Sequence, residues 1–216
     1  MDPFHERLAK VGLAALTEYG FALAGGYAVQ AHGILDRPSE DIDLFTTLAS
    51  EARFPEAVRV AAAAFAADGL TVEVLVENPG FARLLVIDAS ADRSSKVELG
   101  IDWRQHPPTS LAIGPVLARD DAVANKVNAL YSRGQARDYV DVDATLTTGA
   151  YSHERLLALA REHDPGFEPA LFALALRAAN RLPLAEFSQY GLDEPTTKAL
   201  LARLTAWADA IDTPTG

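Results

Sequence analysis

Residues 23–45 read LAGGYAVQAHGILDRPSEDIDLF: two adjacent glycines end one apolar run, and two aspartates one residue apart sit on another. Strand spacing puts Asp41 and Asp43 on one face, with Ile42 and Leu44 on the other. Two carboxylates aimed at one point repel each other unless a cation sits between them. Oxygen-only ligands of this kind suit Mg²⁺ or Mn²⁺ rather than zinc. Upstream, a strand that ends in Gly25-Gly26 and runs into a helix leaves backbone N–H groups where a phosphate can approach closely. Taken singly, Asp-Ile-Asp reads as a strand with a wet face and Gly-Gly as a turn. In the order strand, Gly-Gly, short helix, Arg-containing turn, Asp-x-Asp strand, the two features point to phosphate beside a carboxylate-held metal, the arrangement of phosphoryl or nucleotidyl transfer.

Around this stretch the chain alternates helix and strand signals. Residues 4–19 carry helical spacing, "FALA" is a short strand, and "YAVQAHG" has the length of two helical turns. "DIDLF" then reads as a strand and "FPEAVRVAAAAFAADG" as a helix, followed by the strands "LTVEVLVE", "ARLLVIDA" and "SKVELGIDW". Strands outnumber crossover helices, so a mixed sheet is expected. From Asp120 onward nearly everything reads as helix, with Pro, Gly, Ser and Thr in the gaps and a frayed "TPTG" at the end. The expected organisation is an α/β (α+β) part over 1–115 and a C-terminal helical part over 116–216.

Composition narrows the function classes. The 216 residues are 49% hydrophobic and 23% charged, as in ordinary globular proteins. Without cysteine there is no disulfide, thiol nucleophile or thiolate metal site. The start MDPFHERLAK lacks the pattern of a signal peptide, and no segment reaches the roughly 18 apolar residues of a spanning helix, so a cytoplasmic protein with no membrane partner is expected. A net charge of −11 argues against a surface that coats nucleic acid broadly, while leaving room for a local basic groove. No GxxxxGK[ST], GxGxxG or GxSxG occurs, which disfavours P-loop, Rossmann and α/β-hydrolase sites. His5, His106, His153 and His163 form no metal-ligand spacing, and His32 reads as a packing or surface histidine.

The segment LAGGYAVQAHG…RPSEDIDLF resembles the signature of the DNA polymerase β-like nucleotidyltransferase superfamily, and its His-Gly before Arg-x-Ser-x-Asp-Ile-Asp is similar to the AbiEii/AbiGii toxin branch with its MenT-type members. Two later segments match as well. "SKVELGIDW" resembles the strand that supplies a third carboxylate. There Glu98, Gly100 and Asp102 share a face, so either Glu98 or Asp102 completes the cluster, with Glu98 placed first and Gly100 leaving room for a ligand. "ANKVNALYSRGQARDYVDV" resembles the branch's Lys-containing helix followed by Arg-Asp-x-x-Asp.

The resemblance implies a polymerase-β-like mixed sheet with a C-terminal helical bundle that contributes Lys126 and Asp141 to the site. It implies Asp41, Asp43 and Glu98 (or Asp102) as metal ligands and Lys126 on the nucleotide phosphates, with Asp141 or Asp138 holding the basic residues in position. Gly25, Gly26, Arg37 and Ser39 are further candidates for the triphosphate. Many superfamily members carry Ser where this chain has Gly26, which can offer only its N–H. The implied reaction moves NMP from an NTP to an acceptor hydroxyl and releases pyrophosphate. For the toxin branch the implied acceptor is a tRNA 3′ end, with a cognate antitoxin as partner. A tRNA needs a basic track, for which Arg83, Arg93, Lys96, Arg104, Arg119, Lys126, Arg133 and Arg137 are the candidates. The alternatives are an antibiotic nucleotidyltransferase of the aminoglycoside or lincosamide kind, or an idle binding module on the same fold.

Overall fold

The aspartates at 41 and 43 lie on the middle strand of a seven-stranded mixed sheet. The computed structural model describes residues 1–35, 37 and 39–213. The chain divides into two compact units, Met1–His32 with Pro38–Arg119, and Gly33–Arg37 with Asp120–Gly216. The boundary falls at Arg119 rather than at residue 115, and Gly33–Arg37 goes with the second unit although the sequence reading groups it with the first.

In the first unit, helix α1 (Pro3–Ala15) starts at Asp2, whose carboxylate accepts from the Phe4 and His5 N–H groups, with Pro3 in the first turn where no N–H is missed. Strand β1 is only Ala22–Leu23, and α2 (Gly25–Ala31) begins at the glycines themselves. Then come β2 (Asp41–Thr46), α3 (Phe54–Ala67), β3 (Thr71–Asn78), β4 (Phe81–Asp88) and β5 (Arg93–Ile101). A hairpin of β6 (Thr109–Leu111) and β7 (Gly114–Val116) lies in a stretch where the sequence reading placed no strand. The sheet order is β3-β4-β5-β2-β1-β7-β6. β2 runs parallel to β5 and antiparallel to β1, and β1 is parallel to β7.

The alternation in β2 is strict: Ile42 and Leu44 are fully buried, while Asp41 and Asp43 are half-buried on the other side. Val97 and Leu99 of β5 and Ala82, Leu84 and Val86 of β4 continue the buried face. Helix α1 comes in close on it through Gly12, where a Cβ would stand 2.6 Å from Leu44 Cδ1. Burying one face fixes register, because a slip of one residue would turn the aspartates into the core.

The second unit is helical: α4 (Arg119–Ser132), α5 (Ala136–Thr147), α6 (His153–His163), α7 (Pro169–Ala178), α8 (Leu184–Ser188) and α9 (Glu194–Asp212). Phe172, Trp207, Leu176, Leu204 and Leu159 form its core, with Phe172 and Trp207 meeting edge to face at 5.1 Å. The short α8 falls in the gap between the two last helical runs of the sequence, FEPALFALALRAANR and EPTTKALLARLTAWADA. Residues 214–216, expected to fray, lie outside the described residues. Among the described residues no helix is long and apolar enough to cross a membrane.

Candidate active site

Parallel pairing of two strands distant in sequence assembles the acidic cluster. β2 and β5 pair Asp43 with Glu98, and Asp41 with Lys96. One oxygen from each of Asp41, Asp43 and Glu98 lies within 4.8 Å of the others, and all three side chains are half-buried. Three like charges this close are costly without a cation, and an all-oxygen donor set of this size fits a hard divalent ion. Next to Glu98 across the ladder stands Arg83 of β4, whose Nε and Nη2 both donate to Glu98 Oε1, at 2.8 and 2.7 Å.

The room expected at Gly100 is filled. Gly100 pairs with Phe45, and a Cβ there would meet the Phe45 ring at 3.0 Å, so this glycine makes space for an aromatic ring rather than for a ligand. The same ring separates the two candidate acids. Asp102 lies past the end of β5, its N–H donates to the Thr46 carbonyl, and its carboxylate accepts from the Trp103 N–H at 2.8 Å. It is not part of the three-carboxylate group.

Gly25 explains the first of the paired glycines. Its φ is +59°, and a Cβ built on it would lie 1.7 Å from Asp43 Oδ2. Only a hydrogen fits, so α2 starts directly against the Asp43 carboxylate. The Ala24 N–H donates to the Asp43 carbonyl at 2.8 Å and fixes that approach. Among the described residues no side chain caps the first turn of α2, and Gly26 is buried within it. Ser39 is buried, its Oγ 3.5 Å from Asp41 Oδ1.

In the second unit the two aspartates of the matched Arg-Asp-x-x-Asp segment, Asp138 and Asp141, are buried and each holds basic side chains. Asp141 is 1% exposed; its Oδ1 accepts from Arg37 Nε at 2.7 Å, and its Oδ2 accepts from Arg37 Nη2 at 2.8 Å and Lys126 Nζ at 2.9 Å. Burial alone would raise the Asp141 pKa, but the Lys126 charge and the Arg37 hydrogen bonds outweigh it and hold the carboxyl below its ordinary value. Arg37, expected to grip phosphate, is 6% exposed, has its guanidinium engaged by Asp141 and lies 5.2 Å from the Tyr190 ring centroid. It acts here as a strut. Asp138, expected with Asp141 to hold the basic residues in position, is fully buried and forms a capping box with Gln135 while accepting from Arg133 Nε and Nη2 at 2.9 and 2.7 Å. It holds Arg133 and the start of α5.

The expected basic track is divided by strand parity and by existing partners. Arg83 and Lys96 share the carboxylate face, but Arg93 points to the opposite one, where it donates to Asp2 and lies over Phe4. Arg104 donates to the Gly20 carbonyl. His32 donates from Nε2 to the Leu117 carbonyl at 2.8 Å, a packing role. Sequence reasoning missed the Arg83–Glu98 pair, which only the β4–β5 register reveals. It also missed a buried polar chain in which His5 Nδ1 meets Tyr27 Oη at 2.6 Å and His5 Nε2 meets Ser95 Oγ at 2.8 Å. Burial pushes the His5 imidazole below its usual range. The chain ties α1, α2 and β5 together on the side of the sheet away from the carboxylates.

The family described as Nucleotidyl transferase AbiEii toxin, Type IV TA system, matches residues 12–211. The chain belongs to this AbiEii family. It is a nucleotidyltransferase of the toxin kind. Among solved structures, MenT4, a nucleotidyltransferase toxin from Mycobacterium tuberculosis H37Rv, is similar with a TM-score of 0.65 at 18% identity, over 98% of this chain and 84% of that one. JHP933 from Helicobacter pylori is similar with a TM-score of 0.57 at 17% identity, over 96% of this chain and 90% of that one. At such identities the likeness is one of fold. No curated protein matches the AbiEii chain described here.

Proposed function

We propose that this AbiEii protein transfers NMP from an NTP to the 3′ end of a tRNA in a metal-dependent reaction, as the toxin of a toxin–antitoxin pair. The observation that carries this reading is the start of α2 against Asp43: a position where only glycine fits, beside three convergent carboxylates. Asp41, Asp43 and Glu98 are the proposed ligands of Mg²⁺ or Mn²⁺, with Glu98 preferred to Asp102. Two such ions would hold the chemistry there: one would lower the pKa of the acceptor hydroxyl and the other would neutralise charge on the α-phosphate and the pyrophosphate leaving group.

In the transfer, the acceptor oxygen bonds to the α-phosphorus, the bond to the α–β bridging oxygen breaks, and pyrophosphate leaves. The hydroxyl proton passes to a carboxylate oxygen of the cluster. The Gly25-Gly26 backbone and the Ser39 hydroxyl receive phosphate oxygens. Lys126 is the proposed phosphate-binding lysine, a point charge suited to a polyphosphate, held in place by Asp141. Arg37 and Asp138 serve as positioning residues. The antitoxin follows from the family's toxin–antitoxin membership.

The test is incubation with each labelled NTP, Mg²⁺ or Mn²⁺, and total tRNA. Labelled RNA and pyrophosphate are expected, both lost in Asp43→Asn. Transfer onto an aminoglycoside or a protein instead of RNA, or no transfer with any NTP, overturns the reading.

A further inference from the structure

The sheet face that bears the carboxylates does not end at Glu98. Cross-strand register lays out three rows on it: Asp43, Glu98, Arg83 and Val76; Asp41, Lys96, Leu85 and Glu73; Phe45, Gly100 and Phe81. On β4 the residues of the other face, Ala82, Leu84 and Val86, are fully buried, while Phe81, Arg83, Leu85 and Ile87 are only half-buried. An apolar strip with solvent access therefore leads outward from the acidic cluster. Two cations stand in it. Arg83 is 37% exposed with its guanidinium 5.5 Å from the Phe81 centroid, and Lys96 is exposed and enters no ion pair within the described residues.

We propose that this strip, formed by Phe81, Arg83, Leu85 and Lys96, is the acceptor subsite and takes a single-stranded RNA 3′ end. The inference rests on the transfer reading above and adds where, and by what chemistry, the acceptor is held. Lys96 and Arg83 meet the last phosphodiester oxygens, and the Phe81–Leu85 surface meets the face of a base. Two cations match one or two phosphates, not the many of a duplex, which suits a chain of net charge −11. The same cations would repel an amine-rich drug. Continuity with Glu98 places the strip directly next to the cluster where transfer is proposed to occur.

The probe is a fluorescent single-stranded RNA hexamer titrated by anisotropy against the full chain, without metal or NTP, at several salt concentrations. Phe81→Ala should weaken binding about fivefold or more. Lys96→Gln should lower the slope of log affinity against log salt by about 0.7, the share of one single-strand phosphate. A merely structural role would not move that slope. Arg59→Gln, on α3, should change neither reading. In transfer assays both strip variants should raise the KM for tRNA. An unchanged salt slope in Lys96→Gln, or a hexamer that does not bind the wild type, overturns the subsite. A wild type that labels tRNA while the strip variants keep its KM overturns the subsite alone and leaves the transfer reading standing. Absence of any labelling alongside normal hexamer binding strikes the transfer reading instead.

Discussion

In the first unit three carboxylates from β2 and β5 share one small space, with oxygens within 4.8 Å of one another and Arg83 donating to Glu98. In the second unit a single carboxylate, Asp141, is shared by two cations, Arg37 and Lys126, and is almost sealed from water. The first arrangement gathers three carboxylates in a half-open place. The second has its charge compensated where the dielectric is low, so removing one partner strands the others. Three carboxylates converging on a rigid sheet can serve a cation; a carboxylate held between two buried cations serves the fold.

The largest effect that should break this contrast falls on stability. Asp141→Ala leaves two buried cations without their counterion and should cost about 3–5 kcal/mol, seen in thermal melts as a fall on the order of 10 °C. Asp43→Asn should behave in the opposite manner. It relieves like-charge repulsion, so the metal-free melting temperature should stay the same or rise, while transfer activity falls by about 10²–10³-fold. The stabilisation by saturating Mg²⁺, about 2.7 kcal/mol at a hundred times Kd, should vanish in the same variant. If Asp43→Asn melts as low as Asp141→Ala, the first cluster is structural and the contrast fails.

A smaller effect separates two glycines that both have positive φ. At Gly25 a methyl would overlap Asp43 Oδ2, but at Gly33 (φ +71°) nothing lies within 4 Å of the added carbon. Gly33→Ala should cost only backbone strain, about 1–2 kcal/mol. Gly25→Ala should in addition displace the Asp43 carboxylate and weaken Mg²⁺ stabilisation and transfer together. Equal Mg²⁺ responses in the two variants would show that α2 does not depend on this close approach.

What could be read in the sequence was what period and spacing encode. The Asp41/Asp43 face, the mixed sheet and the helical second half all follow from apolar alternation and punctuation, and the resemblance carried by Gly25-Gly26 and Asp-Ile-Asp pointed to the family. Long-range register was not legible. That Glu98 rather than Asp102 meets the aspartates depends on β5 pairing parallel to β2 and on the Phe45 ring covering Gly100, which local spacing cannot specify. The hairpin of β6 and β7 escaped because its strands are three residues each and one contains Pro115. The pairing of Arg37 was not legible either, because its partner Asp141 lies far along the chain, in α5.

The finest test of the contrast is pH. Because the paired cations hold Asp141 below the ordinary carboxylate value of 3.8, it binds its proton less readily in the folded chain than in the unfolded one. Its contribution is therefore fully present above the unfolded value and is lost only as pH falls through the lower folded one. The stability gap between wild type and Asp141→Asn, measured by urea titration, should stay flat from neutrality down to about pH 4 and narrow only below it. A gap that already closes between pH 6 and 5 would mean that burial, which acts to raise the Asp141 pKa, has overcome Lys126 and Arg37. Asp141 would then be a strained acid like those on β2, and the two regions would no longer differ in kind.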